Sequence, residues 1–290
     1  MERKYIQVNA SVIRTMGLYT RASKKNGKRL INAFAYAFNQ LLVGDTLQFQ
    51  IKHASTEEER TQIQKEMNLA FTGVKYVQPE YVVRVHWHTF NFDICNRPEK
   101  ARQDRLRQQF KIIADLATSF GVLMKDPRDK YKWGNASPIF STVAYCENYV
   151  YFHFNTSIVD QLLDKSLGYG ICYLDIILTL SSGSAGSLLI FLCRYLKAIR
   201  DGYWKNGGSY NGFSVDTVFD YLGLDLIKQD RGDNSTRFEI IDNSIKEINN
   251  ALDLGVAVEK IYTGKTVTSL KFTIEHPEKI AVPKTMLPSE

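Results

Sequence analysis

The chain has 290 residues, 44% of them hydrophobic, with a formal net charge of +6 and a mean hydropathy of −0.25. That suits one large or two medium globular domains with ample core and excludes an intrinsically disordered chain. The strongest apolar stretch, Tyr173 to Leu180, is too short to span a bilayer. The first seven residues lack the apolar segment of a secretion signal, so a cytoplasmic protein is expected.

The charge is uneven. Residues 1–30 carry eight Lys or Arg against one Glu. Within that arm Lys24, Lys25, Lys28 and Arg29 are candidate contacts to nucleic-acid phosphates, which supply most sequence-independent affinity. The same four residues also read as a solvated entry to the first helix. That helix is marked by Leu30, Phe34, Tyr36, Ala37, Phe38, Leu41 and Leu42. Thr56 and Glu59 have capping-box spacing and open a second helix with Ile63, Met67 and Ala70 on one side. Residues 81–90, rich in β-branched and aromatic side chains, predict a strand.

Pro98 then suits a helix start, with Leu106, Phe110, Ile113, Ala117 and Phe120 following at steps of three and four before Gly121. Residues 97–132 form a second basic concentration, with ten Lys or Arg against five acids. Pro138–Tyr145 and Tyr149–Phe154 predict a hairpin turning at Glu147-Asn148. Ser181 to Ser187, all serine, glycine and alanine, reads as a hinge. Cys95, Cys146, Cys172 and Cys193 are scattered singly through apolar patterns, the arrangement of buried thiols and not of metal ligands. No metal or cofactor is expected.

Beyond the hinge, Leu188, Leu189, Leu192, Tyr195, Leu196 and Ile199 make an amphipathic helix ending near Gly202. Ser214 caps a short helix with Val215, Val218, Phe219 and Leu222. Asn234 or Ser235 starts a third, in which Phe238, Ile241, Ile245, Ile248 and Leu252 recur at steps of three and four. The period then changes. Val256, Val258 and Ile261, then Val267, Leu270, Phe272 and Ile274, read as two strands joined around Thr263-Gly264. Two helices, then a third running straight into a hairpin, make a winged helix, a fold whose third helix enters a DNA groove while the hairpin touches the backbone beside it. Residues 186–275 hold eleven Lys or Arg against twelve acids, so any basic face there must come from how the charges are arranged.

The sequence around Ile241, Ile245-Lys246-Glu247-Ile248-Asn249, Asp253-Leu254 and Gly264 to Phe272 resembles the iteron-binding replication initiators (Rep proteins) of theta-replicating plasmids. Ser184 and Ser187, ahead of the Leu-Cys-Arg-Tyr-Leu-Lys helix, also fit. The resemblance implies an α+β chain of two winged-helix domains in tandem. Residues 1–183 would form a domain for dimerisation and backbone contact, and 184–290 the DNA-binding domain. It implies binding to direct repeats at a plasmid origin, opening of the adjacent DNA, recruitment of the host initiator and helicase, and repression of the protein's own gene. A homodimer in equilibrium with monomer would divide these tasks. Unlike its apparent relatives, this chain lacks a run of basic residues before the third-helix motif, where Arg237 is followed by Phe238 and Glu239.

On the third helix the apolar stripe turns Thr236, Glu239, Asn243, Lys246 and Asn250 outward, with Ser235 and Arg237 at its start. Asn243 is suited to adenine and Arg237 to guanine. Lys260 and Lys265, on either side of the hairpin turn, are the candidate phosphate contacts of the wing. Two other classes remain open. His86 and His88 flank Trp87 as in metal-dependent rolling-circle nucleases, with Tyr195 as the conceivable nucleophile. A plain winged-helix transcription regulator would need only the C-terminal domain. A non-enzymatic DNA-binding protein is the expectation.

Overall fold

The computed structural model describes residues 5–9, 27–86, 121–125, 134–146, 149–163, 169–204, 207–224 and 234–281. In chain order its elements are β1 (Tyr5–Asn9), α1 (Gly27–Leu42), α2 (Leu47–Lys52), α3 (Glu57–Ala70), β2 (Val82–His86), β3 (Gly121–Lys125), β4 (Gly134–Pro138), β5 (Phe140–Cys146), β6 (Tyr149–Phe154), α4 (Val159–Leu163), β7 (Tyr169–Tyr173) and α5 (Leu174–Thr179). There follow α6 (Gly183–Arg194), α7 (Leu196–Asp201), β8 (Phe213–Ser214), α8 (Val215–Tyr221), α9 (Ser235–Leu252), β9 (Val256–Thr263) and β10 (Thr266–Ile274). Lys24, Lys25, His88, Cys95 and the helix expected between Pro98 and Phe120 lie outside the described residues.

Contacts divide the chain into two compact units, residues 29–164 and residues 1–28 with 165–290. Antiparallel pairing of β1 with β7, from Tyr5↔Tyr173 to Asn9↔Tyr169, holds the N-terminal strand in the second unit. The elements expected from residue 184 onward all fall in that unit too. Each unit combines helices with a three-stranded antiparallel sheet, giving an α+β chain.

In the unit of 29–164 the sheet order is β2-β6-β5. The strands expected at Val82 and in the hairpin are present. Thr56 caps α3, accepting from the Glu59 N–H at 3.1 Å, while the Glu59 carboxylate reaches back to the Ser55 N–H at 2.8 Å. Its reciprocal bond therefore lands one residue before the cap. Leu47, Ile63, Phe71, Val82, Ala144 and Tyr151 form a core, with Met67 and Ala70 packed against it. The hydrophobic pattern did not announce α2, which is only six residues long. Beneath it Arg84 Nε donates to Gln50 Oε1 at 2.6 Å, and Glu66 Oε2 accepts from Tyr151 Oη at 3.0 Å and pairs with Arg84 at 3.4 Å.

The second unit has the winged-helix order of elements: α6, β8, α8, α9, β9, β10, with the sheet ordered β8-β10-β9. Leu188 to Leu192 of α6 are wholly buried, and α6 packs on α9 and β7. Two expectations change here. Ser181 to Ser187 is no hinge: Ser182 caps α6 through the Ala185 N–H at 3.1 Å, and Gly183, Ala185, Gly186 and Ser187 are buried helical residues. Small side chains let the helices approach closely, so composition typical of a loop serves packing instead. The helix expected through Ile199 is also broken into α6 and α7 at Tyr195, which ends one and begins the other.

Gly212, just before β8, has φ of +97°, and a Cβ there would stand 2.8 Å from the Leu270 carbonyl oxygen, so only glycine lets this backbone lie against β10. Nearby, the Tyr210 hydroxyl accepts the Phe272 N–H at 3.1 Å. Burial drives that phenol up to about 12, with the bond to Phe272 acting the other way.

Candidate nucleic-acid interface

Helix α9 carries three kinds of residue. Ile241, Ser244, Ile245 and Ile248 are buried against the core. Thr236, Glu239, Asn243, Lys246 and Asn250 are exposed, as the stripe predicted, and so is Ser235. Three further polar residues, Asp242, Glu247 and Asn249, are half-buried and fasten α9 to its neighbours.

Each residue of the Lys246-Glu247-Ile248-Asn249 motif has its own surroundings. Lys246 faces solvent. Glu247 accepts the backbone N–H groups of Ser181 and, at 2.8 Å, Ser182, setting a carboxylate at the start of α6 where free amides and the helix dipole favour negative charge. Ile248 is core. The Asn249 amide pairs with both backbone groups of Val256, donating to its carbonyl at 2.8 Å and accepting its N–H at 2.7 Å. A side chain thus acts as a strand partner for the first residue of the wing. The Asp253 N–H donates to the Asn249 carbonyl at 2.8 Å, and Asp253 takes φ of +49° to turn the chain from α9 into β9. Lys279 braces that corner through the Asp253 carboxylate at 2.8 Å, which holds the carboxyl below its ordinary range.

The wing is the hairpin β9–β10. Thr263↔Thr266 closes it, leaving Gly264 and Lys265 as a two-residue loop. Gly264 has φ of +63° and Lys265 does not share it, the pattern of a type II′ turn, whose twist suits a hairpin. Thr263, Lys265 and Thr266 are exposed, and Tyr262 keeps 60% of its surface accessible. The register skips Thr268, a bulge whose hydroxyl lies 3.2 Å from that of Thr263.

One expected contact, Lys260, is placed differently from the sequence reading. Lys260 does not border the turn. It faces Leu270 across the hairpin, and its ammonium lies 3.0 Å from the Asp242 carboxylate of α9 and 5.0 Å from the Phe238 ring. Its place on the Val256–Val258 alternation, the side of β9 facing α9, was the signal for this. Arg237 is half-buried. Its Nη1 donates to Asn234 Oδ1 at 3.2 Å and its guanidinium stands 5.1 Å from the Phe219 ring centroid. Lys246 and Lys265 are exposed. Lys28 and Arg29, on either side of the boundary between the two units, fall in the first turn of α1.

Of the residues suited to nuclease chemistry, His86 belongs to the unit of 29–164 and Tyr195 to the other, and His88 lies outside the described residues. Tyr195 packs edge-on against Phe191, Trp204 and Tyr221, and its hydroxyl donates to Tyr221 Oη at 3.0 Å. Burial raises the Tyr221 phenol far above its ordinary range. His86 stands edge-on to Tyr149 at 5.2 Å. Among the described residues no three His, Cys, Asp or Glu side chains are grouped to hold a metal, and no helix is long and apolar enough to cross a membrane.

Residues 233–274, which span α9, the Asp253 corner and both wing strands, match the family described as initiator Rep protein, WH2. The C-terminal helix and wing are thus similar to those of initiator Rep proteins. The structure as a whole is similar to a solved Pi initiator protein in complex with iteron DNA, with a TM-score of 0.55 and 13% identity over 94% of this chain and 98% of that one. No curated protein matches in sequence. The Rep domain match ends at Ile274, so Glu247, Asn249 and the Gly264 turn all lie inside it, whereas the Ser182 cap that Glu247 meets lies outside.

Proposed function

We propose that this protein is a sequence-specific DNA-binding initiator of plasmid replication that recognises direct repeats at its origin. The observation that carries the reading is that the Rep-family match falls on the segment forming an exposed polar helix face with an attached wing. In this reading α9 enters the major groove with Ser235, Thr236, Asn243 and Lys246 toward the DNA, and Lys265 meets a phosphate from the wing tip. Asn243 reads adenine if its amide reaches a base edge. Arg237, bound at the helix start by Asn234 and Phe219, contributes from the margin of this face. The basic arm with Lys24, Lys25, Lys28 and Arg29 adds backbone affinity from outside the winged helix.

Recruitment of a host initiator and helicase, a dimer–monomer equilibrium and repression of the protein's own gene belong to the same proposal, as does a cytoplasmic site of action. The protein works by binding and not by phosphodiester chemistry. The Tyr195 hydroxyl, donated to Tyr221 within an aromatic cluster, is built into packing.

Selection of duplexes from a random pool by the full-length protein tests this reading. The expected product is one motif recurring as direct repeats beside the gene. Binding to repeat and random duplex with equal affinity would refute it. A covalent protein–DNA adduct formed with Mg²⁺ and abolished by Tyr195→Phe would establish the nuclease instead.

A further inference from the structure

The third strand of the winged-helix sheet is short. β8 pairs with β10 only at Ser269 and Leu270, so from the Thr268 bulge to the turn the wing is a two-stranded ribbon. Such ribbons twist more freely than wider sheets. Lys260 faces Leu270, at the root where three strands narrow to two. Its ammonium is held 3.0 Å from Asp242 and 5.0 Å from the Phe238 ring centroid, both on α9. The Phe238 ring lies tilted 5.5 Å from that of Phe219 of α8, and the Arg237 guanidinium stands 5.1 Å from the Phe219 centroid. A carboxylate, two cations and two rings thus join α8, α9 and the wing root, while Tyr262 and Lys265 stay exposed nearer the tip.

We propose that Lys260 is a positioning residue: by bracing the wing root against Asp242 and Phe238 of α9, it fixes where the Tyr262–Lys265 tip meets the duplex, without touching a phosphate itself. The proposal rests on the DNA-binding reading above and deepens it. Its sharpest consequence concerns Asp242. If nearby charge alone governed binding, Asp242→Asn would remove a repulsive anion and strengthen it. If Asp242 anchors the brace, the same change weakens binding.

The test uses full-length protein, repeat and random duplexes, and anisotropy titrations over a range of salt. Lys260→Met and Asp242→Asn should each weaken binding about 3- to 10-fold, with the salt slope of the wild type retained. Hydroxyl-radical footprints should lose protection where the wing lies and keep it where α9 lies. Lys260→Arg, and the exchange Lys260→Asp with Asp242→Lys, should recover binding. A salt slope lowered by about one unit in Lys260→Met, or tighter binding by Asp242→Asn, would overturn the proposal. Circular-dichroism melts identify a variant that fails to fold, and Asp242→Asn, which keeps the side chain's size, then decides alone. If wild-type protein fails to prefer the repeats, the initiator reading fails, and the same slopes on random duplex still decide the role of Lys260.

Discussion

Replacing Asn249 should cost more than the loss of one polar side chain at a half-buried position suggests. Its amide makes two bonds to Val256, at 2.8 and 2.7 Å, and Val256 itself is only 3% exposed. An ordinary protein hydrogen bond contributes about 0.5–1.5 kcal/mol, and a buried group stripped of its partner costs about 1–3 kcal/mol. Asn249→Ala leaves both Val256 groups unmatched at the start of β9, so a loss of about 2–4 kcal/mol follows. Asn249→Asp is nearly isosteric yet sets a carboxylate oxygen against the Val256 carbonyl, so at neutral pH it should be no better than alanine. Urea unfolding of the full-length chain, followed by both circular dichroism and tryptophan fluorescence, separates transitions of the two units. An Asn249→Asp protein within about 0.5 kcal/mol of wild type would refute the reasoning, because the amide's donor would then be dispensable.

Glu247→Gln should destabilise the C-terminal unit by about 1–2 kcal/mol, since the charged acceptor for Ser181 and Ser182 at the α6 start is lost; the same urea titration measures it. His153 is 5% exposed, and neither ring nitrogen has a hydrogen-bond partner. Burial holds its folded pKa below 6.5, partly opposed by the Glu80 charge. Protonation therefore opposes folding: stability is level above about pH 6.5 and falls as pH drops toward the folded value. His153→Leu should flatten stability against pH across that window, and an unchanged slope would exclude His153 as its source. Arg237→Ala should lower both stability and DNA affinity, because it removes the cation over Phe219; loss of affinity with an unchanged melting temperature would make Arg237 a pure DNA contact.

Much of the winged helix was legible because its signals are local. The three- and four-residue steps of Phe238 to Leu252 give way to strand alternation at Val256, and that change of period marks the helix-to-wing boundary. The capping of α3 by Thr56 and of α8 by Ser214 depends on residues three apart. What stayed hidden depends on distant partners. Glu247 reads as one more exposed acid until Ser181 and Ser182, some 65 positions earlier, come to lie against it. Serine and glycine at 181–187 look like a hinge because composition does not reveal that α9 packs on them. Lys260 lies near Gly264 in sequence, but strand register sets it opposite Leu270, away from the turn.

The pairing of β1 with β7 also has a consequence for biosynthesis. The strand at Tyr5–Asn9 leaves the ribosome before its partner at Tyr169–Tyr173, which follows about 160 residues later. At roughly 5–20 residues per second, β1 waits on the order of 10–30 s with no partner strand, while the whole of residues 29–164 is made and is free to fold. A ribosome that stalls before Tyr169 therefore releases an N-terminal strand with an open hydrogen-bonding edge, which is a template for association with other chains. Slow codons or cold should accordingly raise aggregation of nascent chains more than they harm finished protein, and deleting residues 5–9 should relieve the first effect while loosening the completed C-terminal unit.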